Sequence, residues 1–280
     1  MGIVVAATCM SHSPGMTGFP ERAVQDQRDD ILGRVSQVAA AIAESRPDAV
    51  VVVSAEHFTN FFLSNLPTFA VGMASSYDMP ANDTFAHFLR IPRCRYPGHG
   101  ELGRIIHRSL LDANFDPASL AGGYGFDEGL AVPLALAIGP SQVPVVPIIV
   151  NAVQAPYPPL RRCFALGEAI GAIIAEQDVA DRVAVIGSGG LSHWVGLPAA
   201  GTIDQDFDKL VLRAFAEGEG ERLCELTDDQ IEAAGNGAHE IRAWIVAAGI
   251  VGRVPFDTLS YQPIPGWLTG TAVAHATSIR

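Results

Sequence analysis

Cysteine and positive charge are both scarce in this sequence. Its 280 residues include four cysteines, Cys9, Cys94, Cys163 and Cys224, with no C-x-x-C pair among them. That spacing argues against a zinc ribbon or a disulfide framework, so all four are read as reduced thiols. Lysine and arginine together number 18 against 30 Asp and Glu, a net charge of −12. A surface of that sign repels phosphate backbones and anionic lipid, and no local basic cluster offsets it; nucleic acid and membranes are excluded as expected partners. Long apolar runs are missing too. Ala49 to Ala55 and Val143 to Val150 are too short to span a bilayer and read as buried strands. No cationic segment precedes an apolar stretch at the N-terminus, where Met1 to Ala6 reads as a first strand, so the expected location is cytoplasmic. Repeats, low-complexity tracts and linkers are absent, and the expectation is a single domain over residues 1–280.

What the chain does have is apolar mass: 49% of its residues are hydrophobic, enough for a large core or a subunit interface, most simply that of a homo-oligomer. Strand and helix patterns alternate, which predicts an α/β fold with a central mixed β-sheet flanked by helices. Helical spacing of Ile31, Val35, Val38 and Ile42 marks residues 25–45, and further helices are expected over 100–114, 162–176, 207–217, 227–234 and 240–248. Strands are expected at 1–9, 49–54, 67–72, 143–150, 181–186 and 254–261. Ser75 to His99, rich in Pro, Asn, Asp and Arg, reads as a long surface excursion of the kind that serves as a lid or binding element.

Three histidines, His12, His57 and His193, each follow a strand, and Glu240 follows a Gly-Asn-Gly turn at 235–237. Ligands of α/β sheets gather at strand ends, so together these residues outline a site where any one alone would read as structural. Two imidazoles and a carboxylate, His12, His57 and Glu240, make a mixed N/O set that suits ferrous iron and leaves positions open for substrate and dioxygen. The same set suits a zinc hydrolase, although no H-E-x-x-H helix is present.

The opening Ser11-His12-Ser13-Pro14, the segments Ser54-Ala55-Glu56-His57 and Gly187-Ser188-Gly189-Gly190-Leu191-Ser192-His193, and Asn236-Gly237-Ala238-His239-Glu240 resemble, in this order, the signature blocks of the LigB-type, class III extradiol dioxygenases. Leu66 to Gly72 and Arg162 to Gly167 are similar to the catalytic subunits of protocatechuate 4,5-dioxygenases in particular. The resemblance implies a LigB-like fold with Fe(II) held by His12, His57 and Glu240. It further implies His193 as acid/base beside the substrate, and an aromatic ring with adjacent oxygen functions opened by insertion of both atoms of O2. A small accessory subunit covers the site in the protocatechuate relatives; here either a partner chain or the Ser75 to His99 segment would take that place.

One block departs from the family. Where many members read Asp-His-Gly, this chain reads Asp127-Glu128-Gly129, so Glu128 stands where a second active-site histidine is expected. A carboxylate accepts a proton or hydrogen bond but offers no neutral N–H, which favours a substrate that itself presents N–H, such as a 3-hydroxy-4-pyridone or an aminophenol. A substituted catechol such as protocatechuate or gallate is the alternative. The remaining conspicuous residues receive structural readings: His239 points away from the metal, His87, His99 and His107 lie on loops or exposed helix, and His275 falls in a small-residue tail. Trp194 and Trp267 are read as packed, and Arg93 and Arg95 as solvated loop charges.

Overall fold

The computed structural model describes residues 1–139, 142–276 and 279. Its strands are β1 (Ile3–Met10), β2 (Ala49–Ser54), β3 (Phe69–Gly72), β4 (Ser76–Met79), β5 (Cys94–Pro97), β6 (Ala118–Leu120), β7 (Val145–Val150), β8 (Arg182–Ser188), β9 (Phe256–Ile264) and β10 (Thr269–Ala276). Its helices are α1 (Gln25–Ser45), α2 (Asp83–Leu89), α3 (Gly100–Asp112), α4 (Glu128–Pro133), α5 (Leu160–Glu176), α6 (Gln205–Ala216), α7 (Asp228–Glu232) and α8 (Ile241–Val251). Among the described residues no helix is long and apolar enough to cross a membrane, and all four cysteines are free.

Eight strands form one mixed sheet in the order β6-β3-β7-β2-β8-β1-β10-β9. The central strands β7, β2, β8 and β1 are parallel, and β10 and β9 close one edge antiparallel. The unbroken valine run of β2 is explained by this position: every residue of the strand is buried, because helices cover both faces of a parallel sheet. One face packs against α3, α5, α6 and α8, the other against α1 and α4. Helix α8 is apolar but for Arg242 since it is enclosed all round, with Ile241 to Ile250 buried throughout.

Parallel strands share a direction, so their C-terminal ends share an edge. β8 lies between β1 and β2, with Met10 paired to Ser188 and Val53 to Gly187, and the residues just beyond these pairs are the segments that carry His12, His193 and His57.

Three local expectations are corrected. The Ser75 to His99 segment is no irregular excursion: it contains β4 and β5, paired as a two-stranded antiparallel sheet, with α2 between them. Tyr77, Met79 and Tyr96 face inward while Asp78 and Arg95 pair outside at 3.0 Å, so polarity that suggested a loop belongs to one solvated face. The residues around His275 form a full strand, β10, between β1 and β9. Helices α1 and α6 lie on either side of it, which is why its residues are small. Finally, Glu240 does not begin an α-helix; it ends a 3-10 turn, Asn236–Glu240, that leads into α8.

Candidate active site

The chain leaves β2 into a turn organised by Glu56, a buried carboxylate that accepts the backbone N–H groups of Thr59, Asn60 and Phe61. This turn directs His57 toward the sheet edge. There the Asp127 carboxylate accepts both the His57 backbone N–H, at 2.7 Å, and its ring Nδ1–H, at 3.0 Å. On the neighbouring strand end, the Ser188 hydroxyl donates to the Gly129 carbonyl at 2.7 Å. A hydroxyl has one proton, so Ser188 is left to accept from His12 Nδ1–H, 3.0 Å away. Both imidazoles are thereby fixed in one tautomer, with a bare Nε2 turned inward.

Those two nitrogens meet the Glu240 carboxylate. His57 Nε2 lies 3.0 Å from Oε1 and His12 Nε2 3.3 Å from Oε2, and the three candidate ligand atoms fall within 4.8 Å of one another. Lone pairs facing a carboxylate at such distances require a proton or a cation between them. Ligand atoms roughly 2.1 Å from a shared divalent ion and at right angles to each other stand about 3 Å apart, so the observed spacing fits a small metal ion. The donor set, two imidazole nitrogens and a carboxylate, is the one that ferrous iron or zinc takes. Sequence analysis named His12, His57 and Glu240 as that set, and the structure brings these three together.

The electrostatics match a cation site. Burial favours the neutral carboxyl of Glu240, but the His12 and His193 imidazoles beside it outweigh that and hold its pKa well below the usual range. Burial likewise opposes charge on His57, yet Glu128 and Asp127 raise its pKa well above the ordinary value.

His193 approaches from the Gly-rich segment after β8. Its Nδ1–H donates to the Leu191 carbonyl at 3.0 Å, which leaves Nε2 facing the site, 3.7 Å from Glu240 Oε1. Two glycines make room for it. Gly235 has φ +127°, a left-handed backbone that favours glycine, and a Cβ there would lie 1.9 Å from the His193 carbonyl oxygen. A Cβ on Gly237 would lie 2.0 Å from the His193 Nε2 atom itself.

Glu128, first residue of α4, stands 4.0 Å from His57 Nδ1, and its Oε2 is buried without a hydrogen-bond partner. Burial raises its pKa, His57 opposes that rise, and Asp127 reinforces it. These residues line one end of a cavity of about 200 Å³ whose other walls include Pro14, Trp194, Val195, Trp267 and Leu268. Both tryptophans therefore line the cavity, and Trp267 is packed as well, its indole N–H donating to Phe19 O.

Other expected placements are as follows. His239 points away from Glu240 into a buried cluster, stacked on Tyr157 at 3.9 Å and bonded to Glu232 and Arg242. His99 caps α3 by accepting Leu102 N–H, and His107 bonds the Pro117 carbonyl. Arg93 and Arg95 pair with Asp83 and Asp78 and do not line the cavity. Nor does any other residue of the Ser75 to His99 segment; α2 instead backs the Pro14 to Phe19 turn, with Phe88 and Phe19 rings 5.3 Å apart.

Asp127 and Ser188, which set the two tautomers, received no role from sequence. Each lies inside a quoted block, but only the fold reveals which histidine it serves.

A family model described as the catalytic LigB subunit of aromatic ring-opening dioxygenase matches residues 6–272. A 2,3-dihydroxyphenylpropionate/2,3-dihydroxicinnamic acid 1,2-dioxygenase of Mycolicibacterium vanbaalenii is 31% identical, over 97% of this chain and 97% of that protein. A protein of the same name from Paraburkholderia xenovorans is also 31% identical, with 98% of each chain covered. Among solved structures, the uncharacterized protein JW3007 of Escherichia coli K12 superposes with a TM-score of 0.55 at 17% identity over 98% of this chain and 100% of that one, a likeness of fold. With nearly its whole length matched by the family model, the chain belongs to the LigB family of aromatic ring-opening dioxygenases.

Proposed function

We propose that the protein is a ferrous extradiol dioxygenase in which His12, His57 and Glu240 hold the iron and His193 moves protons at the reacting ring. The observation that carries this reading is the pair of inward, bare Nε2 atoms at 3.3 and 3.0 Å from the Glu240 carboxylate, each histidine being tied at its other nitrogen. Iron held there would supply open coordination positions for the ring oxygens and dioxygen and a path for electrons to pass from ring to oxygen.

The protein's own part is positioning and proton transfer. A ring with adjacent oxygen functions enters past Trp194 and Trp267 with its oxygens toward the histidines. His193 Nε2, with Nδ1 committed to Leu191, is the imidazole atom free to take a proton from a ring hydroxyl and to return it to the product. Apolar walls limit water at the reacting atoms. Glu128 offers a buried acceptor to a ring N–H, which supports nitrogen-containing rings such as a 3-hydroxy-4-pyridone or an aminophenol beside substituted catechols. The names of the relatives above point to catechol-type rings. The reading includes action as a homo-oligomer in the cytoplasm.

The test is anaerobic reconstitution with Fe(II), followed by oxygen and a panel of protocatechuate, gallate, simple catechols, aminophenols and 3-hydroxy-4-pyridone, with oxygen uptake and product mass recorded. Stoichiometric uptake and a product heavier by two oxygen atoms are expected, both lost in His12→Ala and Glu240→Ala. Absence of uptake across the panel, with metal bound at these residues, would transfer the assignment to zinc hydrolysis.

A further inference from the structure

The cavity has a polar end and an apolar mouth, and its charges are distributed unevenly between them. His12 and Glu240 are 4% and 3% exposed, whereas Val195 and Leu268 are 58% and 48% exposed, so the latter pair stands at the entrance. Between the two ends lie Pro14, Trp194 and Trp267. Among the described residues no lysine or arginine lines any part of the cavity, while two carboxyl groups, those of Glu128 and Glu240, do. Its three imidazoles are all at the inner end, each tied at Nδ1, to Ser188, Asp127 and Leu191, with Nε2 turned toward Glu240 and not toward the mouth.

We propose that this site selects rings whose substituent is uncharged and apolar, and discriminates against rings bearing a carboxylate arm. This inference rests on the ring-opening reading and specifies its substrate class. A carboxylate at the mouth would give up water among Val195, Leu268 and indole surfaces, where no lysine or arginine of the described lining replaces it, on a protein of net charge −12. An alkyl arm or a neutral amide meets valine, leucine and indole surfaces instead, and burying its CH2 groups contributes to binding.

The mouth is also held in place. Asn236 accepts the Val195 N–H at 2.8 Å and donates to the Val195 carbonyl at 3.0 Å, so the backbone on which Val195 sits is fixed by the turn that carries Glu240. The Val195 side chain is free of that clamp, which makes it a position where charge can be introduced without disturbing the fold.

Three probes with the same catechol head and similar length separate the effects: 3-propylcatechol, 3-(2,3-dihydroxyphenyl)propionate and the primary amide of that acid. Binding to the Fe(II)-loaded protein is read without oxygen from the fluorescence of the tryptophans, two of which line the cavity. Oxygen uptake then gives kcat and KM. The propyl and amide compounds are expected to bind at least about tenfold tighter than the acid at low salt, with the difference in KM rather than kcat. Val195→Lys is expected to shrink or reverse that ratio, and added salt to weaken the reversal. Equal or tighter binding of the acid by the wild type overturns the inference, as does a ratio unmoved by Val195→Lys. If none of the three rings is opened, the ring-opening reading stands or falls on the wider panel above, and the order of binding still decides the charge preference.

Discussion

Asp127 holds His57 by two hydrogen bonds from a single carboxylate oxygen, to the backbone N–H at 2.7 Å and to ring Nδ1 at 3.0 Å. One residue thus sets the position of the main chain, the orientation of the ring and the tautomer that leaves Nε2 bare. Asp127→Asn keeps one acceptor but weakens the charge-assisted bond, and Asp127→Ala removes both. Metal affinity is expected to fall about tenfold in the first and about a hundredfold in the second, in the range found for partners of metal-ligating histidines. Anaerobic titration with Fe(II) measures it, and unchanged affinity in the alanine variant would detach Asp127 from the metal site.

His193 is expected to separate binding from chemistry. In His193→Gln the three candidate ligands are intact, so metal content and anaerobic binding of a catechol should match the wild type. Turnover should drop by about 10²- to 10⁴-fold, the usual contribution of a positioned acid/base. Metal analysis alongside single-turnover oxygen consumption decides this, and loss of metal in the variant would reassign His193 to the ligand set.

Arg242 is fully buried and donates to the Pro158 carbonyl, to His239 Nδ1 and to Asp228, with its guanidinium 4.8 Å above the Tyr157 ring. Arg242→Met fills similar space but strands two buried acceptors, at about 1–3 kcal/mol each. Urea unfolding should register that loss. Because His239 belongs to the turn that ends in Glu240, metal affinity measured in the same preparation should fall with it.

Asp208 is buried beneath β10, where it accepts Ser192 N–H and Tyr261 O–H, both at 2.7 Å. Burial pushes its pKa up to about 6, against the lowering effect of those hydrogen bonds. In the unfolded chain an aspartate releases its proton near 4, about two units lower. Between these values the unfolded state binds fewer protons than the folded one, so this residue's contribution to stability is complete below about pH 4 and lost as pH rises through 6. The loss is on the order of 2–3 kcal/mol. Unfolding free energies from pH 4 to 7 should show the wild type declining relative to Asp208→Asn over that window and running parallel to it above; a constant difference from pH 4 upward would refute the shift.

Much of the scaffold is readable along the chain because its signals are local. A run such as Ala49 to Ser54 is apolar without alternation since both faces of β2 are covered, and the 25–45 helix declares itself by four apolar residues at helical spacing. Ser75 to His99 and β10 were misread for one reason: composition stood in for burial. A short two-stranded sheet with a solvated face looks like a loop, and a strand between two helices, built of small residues, looks like a tail.

The sequence by itself determined the α/β class and the strand ends that bear His12, His57 and His193, and it singled out the three residues proposed here to hold the metal. Only the tertiary structure decided how those residues are held and what surrounds them. Asp127 and His57 are 70 residues apart, His12 and Ser188 are 176, and His57 and Glu240 are 183. No local periodicity encodes such pairs; they exist because parallel strands end at one edge, and because Gly235 and Gly237 let a turn from the far end of the chain close over His193. The apolar mouth was hidden for the same reason, since Pro14, Val195 and Leu268 become one surface only when three distant loops meet.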